Sequence, residues 1–193
     1  MPRVPRPPTL LAAALAVVLL AGCGNDKSSA EDVGSIPAPN GFRDAIYRQD
    51  GIRFRAPENW RLVPGSSPQV VTVAAGEGQI GVWRFKRKEP LPRTIMQLDA
   101  ARQALVKQIE KRDPTFHLVS SRIIVKPRLK GVEVVGEGTN QGQRRYSRSV
   151  HAYANGAEIV LDGFAPVNDF ARVDKQVLAR VARSLKVSKP KKA

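Results

Sequence analysis

The densest set of chemically active side chains lies between Gln143 and Tyr153, in the segment QRRYSRSVHAY. Its pattern predicts a β-strand on which Arg144, Tyr146 and Arg148 share one face. Guanidinium groups bind phosphates and carboxylates through paired hydrogen bonds. These three residues therefore form a candidate surface for an anionic ligand.

An earlier predicted strand carries a second basic pair. Arg84 and Lys86 share one of its faces, and Trp83 and Phe85 point to the other. If the two strands lie near each other, their basic and aromatic residues could grip a phosphate or carboxylate. A second interpretation is open, in which the arginines pair with glutamates or cover apolar surface with their stems. The residues predicted to bind a ligand are Arg144, Tyr146, Arg148, Arg84 and Lys86.

The opposite face of the Gln143–Tyr153 strand carries hydroxyl and imidazole groups. Ser147, Ser149 and His151 alternate there. Asp162 lies on the next predicted strand, so a Ser-His-Asp arrangement is formally available. The sequence has no G-x-S-x-G nucleophile elbow, and serine beside histidine on a strand is common by chance. We therefore predict no catalytic residues.

Metal and paired-carboxylate chemistry are also disfavoured. Neither histidine, His117 or His151, has a cysteine, histidine or carboxylate at metal-ligand spacing, so we predict no metal and no cofactor. Glu133 and Glu137 share a strand face about 13 Å apart, beyond the roughly 5–9.5 Å between glycosidase carboxylates. We expect them to pair with arginines of the next strand.

The N-terminal residues have the zones of an export signal. Arg3 and Arg6 precede the apolar run Leu10–Leu20. As a helix this run spans about 16 Å, too short for a bilayer core of about 30 Å. It therefore predicts a cleaved signal and not a membrane-spanning helix.

The next feature is the tetrapeptide Leu20-Ala21-Gly22-Cys23, which resembles the lipobox of bacterial lipoproteins. The resemblance implies cleavage before Cys23 and acyl chains on that residue, which hold the protein at the extracytoplasmic face of the cell membrane. Cys23 is the only cysteine in the sequence, so lipidation also accounts for a thiol without a disulfide partner. The alternative is an ordinary secretory signal with a cysteine near its end by chance.

The chain is strongly basic, with a formal net charge of +15. Nucleic acid is disfavoured as a partner, because the protein is expected to be exported and no nucleic-acid motif is present. Attraction to anionic lipid headgroups or acidic wall polymers fits the expected location better. A generally basic, solvated surface without a specific partner stays open.

Composition and punctuation divide the chain into four parts. Residues 1–22 are predicted to be the signal peptide. Residues 23–41 are predicted to be the lipidated cysteine and a flexible tether, because Gly, Ser, Pro and Asp dominate there. Residues 42–187 form one domain, and residues 188–193 form a short, frayed basic tail.

Turn signals and apolar patterning predict the strands. Asp50-Gly51 is a two-residue hairpin signal inside Ile46–Arg55, and Asn155-Gly156 is another near the C-terminus. The further predicted strands are Trp60–Val63, Gln69–Ala75, Gln79–Arg87, Phe116–Val125, Gly131–Gly138, Gln143–Ala154 and Ala157–Phe164.

Two helices are predicted from apolar spacing. Thr94 is the expected N-cap of the first, which ends before Asp113-Pro114, and the second covers Val167–Leu185. Their apolar faces comprise Ile95, Leu98, Leu105 and Ile109 in the first helix, and Phe170, Val173, Val177, Val181 and Leu185 in the second.

These elements predict one α+β domain, a mostly antiparallel β-sheet flanked by two amphipathic helices, since no βαβ repeat is visible. Residues 49–62, QDGIRFRAPENWRL, resemble the opening of the PsbP/Mog1-like fold. The resemblance covers most of residues 42–187 and implies an α/β/α sandwich. Members of this group are accessory or binding proteins, and none of their functional residues can be placed on this sequence.

Together these features predict a lipid-anchored, non-catalytic protein of the bacterial cell envelope. Its expected partner is an envelope protein, an anionic lipid or a wall polymer. One alternative is a small hydrolase or transferase acting on envelope polymers through the Arg144–Tyr153 strand. That enzyme would need a cleft in which His151 meets a carboxylate. The other alternative is a purely structural lipoprotein.

Overall fold

The computed structural model describes residues 35–127, 129–140 and 142–191. The predicted lipidation site Cys23, the signal peptide and most of the tether lie outside these residues. In chain order the elements are β1 (Phe42–Tyr47), β2 (Ile52–Pro57), β3 (Arg61–Pro64), β4 (Gln69–Ala75), β5 (Gly78–Lys86), α1 (Ile95–Arg112), β6 (His117–Lys126), β7 (Leu129–Asn140), β8 (Gln143–Ala154), β9 (Ala157–Pro166), α2 (Phe170–Val173), a π-helical segment (Asp174–Leu178), α3 (Ala179–Ser184) and β10 (Lys186–Val187).

The strands form two antiparallel sheets. A large sheet has the order β3-β4-β5-β9-β8-β7-β6, and a small one has the order β1-β2-β10. Every neighbouring pair is antiparallel. The prediction of a mostly antiparallel α+β fold is thereby confirmed.

Of the two hairpin turns predicted from Asp-Gly and Asn-Gly pairs, one has the predicted length and the other does not. Asn155 and Gly156 have φ angles of 52° and 68° and form the predicted two-residue turn between β8 and β9. The β1–β2 hairpin exists, but Tyr47 pairs with Ile52 and residues 48–51 form a longer loop. The prediction of a two-residue turn there was wrong, although Gly51 does occupy the left-handed region with a φ of 68°.

The main core lies between one face of the large sheet and the C-terminal helical segments. The small sheet closes the same core from the side, since α3 packs on β2. The predicted helix over 167–185 is helical without a gap from Phe170 to Ser184, but a π-helical segment replaces the α-helix between α2 and α3. Its predicted apolar face is nevertheless buried, and each of Val173, Val177, Val181 and Leu185 is at most 3% exposed.

Helix α1 covers the opposite face of the large sheet, above β6 and β7. Its N-terminus has a capping box, in which the side chains of Thr94 and Gln97 each accept a hydrogen bond from the other residue's backbone amide. Leu98 is buried as predicted, whereas Ile95 is 69% exposed and does not belong to the packed stripe. Helices on both faces of the sheet confirm the expected sandwich.

The packed region extends beyond the predicted limits of the domain. Ile36 is 3% exposed within the core, and the Trp60 indole N–H donates to the carbonyl of Pro37 at 3.4 Å. The domain therefore begins before residue 42. At the other end, the Ser188 and Lys191 amides donate to the β1–β2 loop at 2.8 and 2.9 Å, so residues 188–191 are not a frayed tail. No helix in the described ranges has both the length and the apolar character needed to cross a membrane.

Candidate functional site

A cavity of about 510 Å³ opens between α1 and the face of the large sheet that this helix covers. Strands β5, β9 and β8 supply its floor, and the C-terminal half of α1 supplies one wall. Its apolar lining includes Trp83, Phe85, Leu105, Ile109, Phe116 and Phe164. We refer to it as the α1 cavity.

Two glycines give the aromatic rings of the α1 cavity room to lie against the sheet. Gly81 precedes Trp83 by two residues on the same face of β5, and a Cβ at Gly81 would overlap the indole ring. Gly136 on β7 leaves the same kind of space for the ring of Phe116. Small residues beside large ones therefore shape this aromatic wall.

The floor of the α1 cavity is polar along β8. Ser147, Ser149 and His151 project into it, as the alternation of the strand requires. The Ser149 hydroxyl donates a short hydrogen bond to the carboxylate of Asp162 on β9. Burial raises the pKa of Asp162 above its ordinary value, and the bond from Ser149 offsets only part of this effect.

His151 is paired with a different carboxylate. Its Nδ1 lies 2.6 Å from Oε1 of Glu158, whose Oε2 accepts a hydrogen bond from Nε of Arg87 at 2.7 Å. Burial alone would raise the pKa of Glu158, but the hydrogen bonds from His151 and Arg87 outweigh it and hold that pKa below its usual value. The His151–carboxylate contact required for the hydrolase alternative is thus present, without a hydrogen bond from Ser149 to His151.

Charged side chains lie at the rim of the α1 cavity. The Arg145 guanidinium is fixed by hydrogen bonds to the carbonyl of Glu77 at 3.0 Å and to the side chain of Gln143 at 2.7 Å. Arg112, in the last turn of α1, also lines the rim. Asp113 follows the helix and accepts a hydrogen bond from the amide of Thr139 at 2.8 Å.

The predicted anion-binding face of β8 lies on the other side of the sheet. Arg148 is internal, with Nε 2.6 Å from Asp174 and Nη1 2.8 Å from Glu133. Tyr146 stacks on the ring of Phe170 at 4.8 Å between centroids, and Arg144 pairs with Glu137. The three side chains share a face as predicted, but Arg148 and Tyr146 contact the C-terminal helical segments, whereas Arg144 is 69% exposed.

Arg84 and Lys86 do not lie beside the arginines of β8. β9 separates their strand from β8, and Arg84 pairs with Ile159 whereas Arg148 pairs with Gly163. From this register the two arginines are about 16 Å apart in the sheet. The expectation of one surface formed by Arg144, Tyr146, Arg148, Arg84 and Lys86 was therefore wrong. The open alternative, in which arginines of β8 pair with glutamates, describes Arg144 and Arg148.

The α1 cavity was not predicted from the sequence, because local residue patterns do not determine the order of strands in a sheet. Alternation correctly placed Trp83 and Phe85 on one face of β5, and Ser149 and His151 on one face of β8. The missing information was that β9 lies between these strands and aligns the two faces. Within the described ranges, no three His, Cys, Asp or Glu side chains are grouped closely enough to hold a metal ion.

Comparisons with known proteins bear on the fold. No family model and no curated protein matches the sequence. Cyanobacterial PsbP (CyanoP) from Synechocystis sp. PCC 6803 is structurally similar, with a TM-score of 0.59 and 14% identity over 88% of this chain and 99% of that chain. LpqN, involved in cell envelope biogenesis of Mycobacterium tuberculosis, has a TM-score of 0.54 and 15% identity over 77% of this chain and 91% of that one. The chain therefore has a PsbP-like fold.

Proposed function

We propose that this protein is anchored by lipid on Cys23 at the extracytoplasmic face of a bacterial cell membrane, where it binds an anionic envelope ligand without catalysing a reaction. The sequence Leu20–Cys23 supports the anchor. The likeness to LpqN, a protein involved in cell envelope biogenesis, fits that location. The observation that carries the binding role is the α1 cavity.

The α1 cavity suits a small amphipathic molecule. Its volume of about 510 Å³ lies within the range of roughly 300–1,000 Å³ common for ligand pockets. Trp83, Phe85 and Phe164 offer apolar contact area, and burial of such area drives binding. Arg112 and Arg145 at the rim are suited to an anionic group.

Neither serine on the floor of the α1 cavity donates a hydrogen bond to His151, and this is why we assign no catalytic role to the protein. A serine nucleophile is activated by donating its hydrogen bond to a histidine base. Ser149 donates to Asp162 instead, and Ser147 donates to the carbonyl of Gly136 at 3.4 Å. His151 thus has a carboxylate partner but no hydroxyl to activate.

The binding proposal can be tested with the fluorescent anion 8-anilinonaphthalene-1-sulfonate, which combines aromatic rings with a sulfonate. Val160→Phe places a larger side chain inside the α1 cavity, because Val160 lines it. Val125→Phe makes the same change at a position that is 59% exposed on β6. We expect wild type and Val125→Phe to bind the probe equally, and Val160→Phe to bind about tenfold more weakly. Equal binding by all three proteins would contradict the proposal.

A second candidate function is hydrolysis of envelope polymers, favoured by the 2.6 Å contact between Glu158 and His151, the histidine that lines the α1 cavity. A fluorophosphonate probe, which reacts with activated serines, separates the two functions. We expect no labelling of Ser149. Labelling that disappears in both Ser149→Ala and His151→Gln would instead establish the hydrolase.

A further inference from the structure

A second cleft, of about 740 Å³, lies at the end of β5 that carries Lys86. Three connecting segments meet there: the β1–β2 loop, the β3–β4 loop and the C-terminal residues after β10. Its charged lining comprises Arg84, Lys86, Lys191 and one carboxylate, Asp50. We refer to it as the basic cleft.

Backbone hydrogen bonds hold the segments of the basic cleft in place. The Lys191 amide donates to the carbonyl of Arg48 at 2.9 Å, which ties the C-terminal residues to the β1–β2 loop. The Arg84 amide donates to the carbonyl of Pro68 at 2.8 Å, which ties β5 to the β3–β4 loop. The backbone that carries the cationic side chains is therefore already ordered, so a ligand would not bear the entropic cost of ordering it.

The guanidinium of Arg84 is oriented before any ligand arrives. Its Nε donates to the backbone carbonyl of Asp50 at 3.1 Å, so the side chain is fixed at one edge. The remaining N–H groups of Arg84 keep the planar fork that matches the oxygens of phosphate. Lys86 and Lys191 are exposed and add two point charges beside this fork.

The charges of the basic cleft are not balanced within the protein. By contrast, two other buried or half-buried arginines are paired with carboxylates: Arg148 with Glu133 and Asp174, and Arg102 with Asp99. Among the residues that the structure describes, no ion pair involves Arg84, Lys86 or Lys191. Three cations thus face one another across a cleft with a single acidic residue, an arrangement that repels itself until an anion is bound.

We propose that the basic cleft binds a phosphate group, with Arg84 gripping two of its oxygens and Lys86 and Lys191 neutralising its charge. This site is separate from the α1 cavity, because Arg84 and Lys86 point to the face of β5 opposite to Trp83 and Phe85. The phosphate can come from a free anion or from the headgroup of an anionic lipid. Both sources present the same tetrahedral oxygens to the cleft.

The test uses the full chain, purified in a neutral detergent, with two probes. Inorganic pyrophosphate represents the free anion, and detergent micelles doped with phosphatidylglycerol represent the lipid headgroup. The cleft variant is Lys86→Gln/Lys191→Gln, which removes two exposed charges without touching a hydrogen-bonded side chain. The matched control is Lys107→Gln/Lys111→Gln, which removes two exposed charges from α1. Equal net charge in the two variants cancels any long-range electrostatic effect.

We expect wild type and the α1 control to bind at least one probe with similar affinity, and the cleft variant to bind that probe at least about tenfold more weakly. Loss of pyrophosphate binding identifies a free anion, and loss confined to the doped micelles identifies a lipid headgroup. Arg84→Lys keeps the charge but not the fork, so it is expected to weaken binding as well. Equal affinities of the cleft variant and the α1 control for both probes would overturn the proposal.

Discussion

The guanidinium of Arg148 and the carboxylate of Asp174 form a two-point ion pair, with Nε–Oδ1 and Nη2–Oδ2 distances of 2.6 and 2.8 Å. This pair joins β8 to the π-helical segment. Burial opposes the charge on Arg148, but Asp174 and Glu133 outweigh it and raise the pKa of Arg148 above its usual value. The helical segments are therefore fastened to the sheet by charge as well as by apolar packing.

Arg148→Ala is expected to destabilise the fold by about 3 kcal/mol, because it leaves the half-buried carboxylate of Asp174 without its partner and the buried carboxylate of Glu133 with Arg122 alone. Urea unfolding monitored by circular dichroism measures this loss. Arg53→Ala is the control, since its pair with Asp44 is exposed and such pairs contribute little to stability. Equal losses in the two variants would contradict the assigned role of Arg148.

Asp162→Asn is expected to change how stability depends on pH. Because the folded-state pKa of Asp162 is raised, its favourable contribution is complete below the ordinary value of 3.8 and is lost as pH rises through the folded-state pKa. Asparagine keeps an oxygen for Ser149 but cannot ionise. The variant is therefore expected to gain stability relative to wild type when urea unfolding is repeated at pH 7 instead of pH 3.

A matched substitution on the surface is expected to respond with the opposite sign. The hydrogen bond from Arg53 lowers the pKa of Asp44, so Asp44 contributes stability above 3.8 that is lost as pH falls through its folded-state pKa. Asp44→Asn is therefore expected to lose stability relative to wild type at pH 7 and not at low pH. Identical pH profiles for the two asparagine variants would show that burial does not govern Asp162.

Gly81→Ala is expected to displace the indole of Trp83 from the floor of the α1 cavity and to cost about 1–3 kcal/mol through overpacking. Acrylamide quenching of tryptophan fluorescence reports this movement, because the other tryptophan, Trp60, is only 1% exposed. Gly41→Ala is the control, since its new methyl group would meet only the flexible carboxyl end of Glu58. Unchanged quenching in Gly81→Ala would contradict the seating of Trp83 on Gly81.

Cys23→Ser is expected to abolish acylation, because serine has no thiol for the thioether, and to release the protein from lipid anchoring. Metabolic labelling with a fatty-acid analogue and membrane fractionation measure both effects. Ser29→Ala, a small change within the predicted tether, is the control and is expected to leave both unchanged. Absence of labelling in the wild type would leave an ordinary secretory signal as the better interpretation, and labelling retained in Cys23→Ser would place the acyl chains on another residue.

Local signals predicted most of the elements. The turn at Asn155-Gly156 can be predicted from sequence, because asparagine and glycine tolerate the positive φ angles that a two-residue hairpin turn requires. The start of α1 can be predicted because Thr94 and Gln97 have the spacing of a capping box. The π-helical segment was not readable, since residues 170–185 keep their helical spacing on both sides of it. The exposure of Ile95 depends on how far α1 extends beyond the sheet, which no local pattern encodes.

The sites depended on contacts between residues distant in sequence. Alternation placed Arg148 on the correct face of β8, yet whether that face meets solvent or a helix is decided by Asp174, 26 positions later. Arg84 was predicted to bind a ligand, but Lys191, which lines the same basic cleft, lies at the other end of the chain and was assigned to a frayed tail. The α1 cavity likewise needed the pairing of β5 with β9, whose partners Gln79 and Phe164 are far apart in sequence.

The six residues before β1, residues 36–41, bear on how the domain would respond to a pulling force. The side chain of Ile36 is locked in the core, and the carbonyls of Pro37 and Ala38 accept hydrogen bonds from Trp60 and Asn59. A force applied to the chain before residue 36 therefore meets these contacts before it reaches the edge strand β1. Without these contacts the same force would act directly on β1, an edge strand whose only neighbour in the described part of the chain is β2, and would separate the two strands one hydrogen bond at a time. Residues 36–41 therefore protect the β1–β2 pairing.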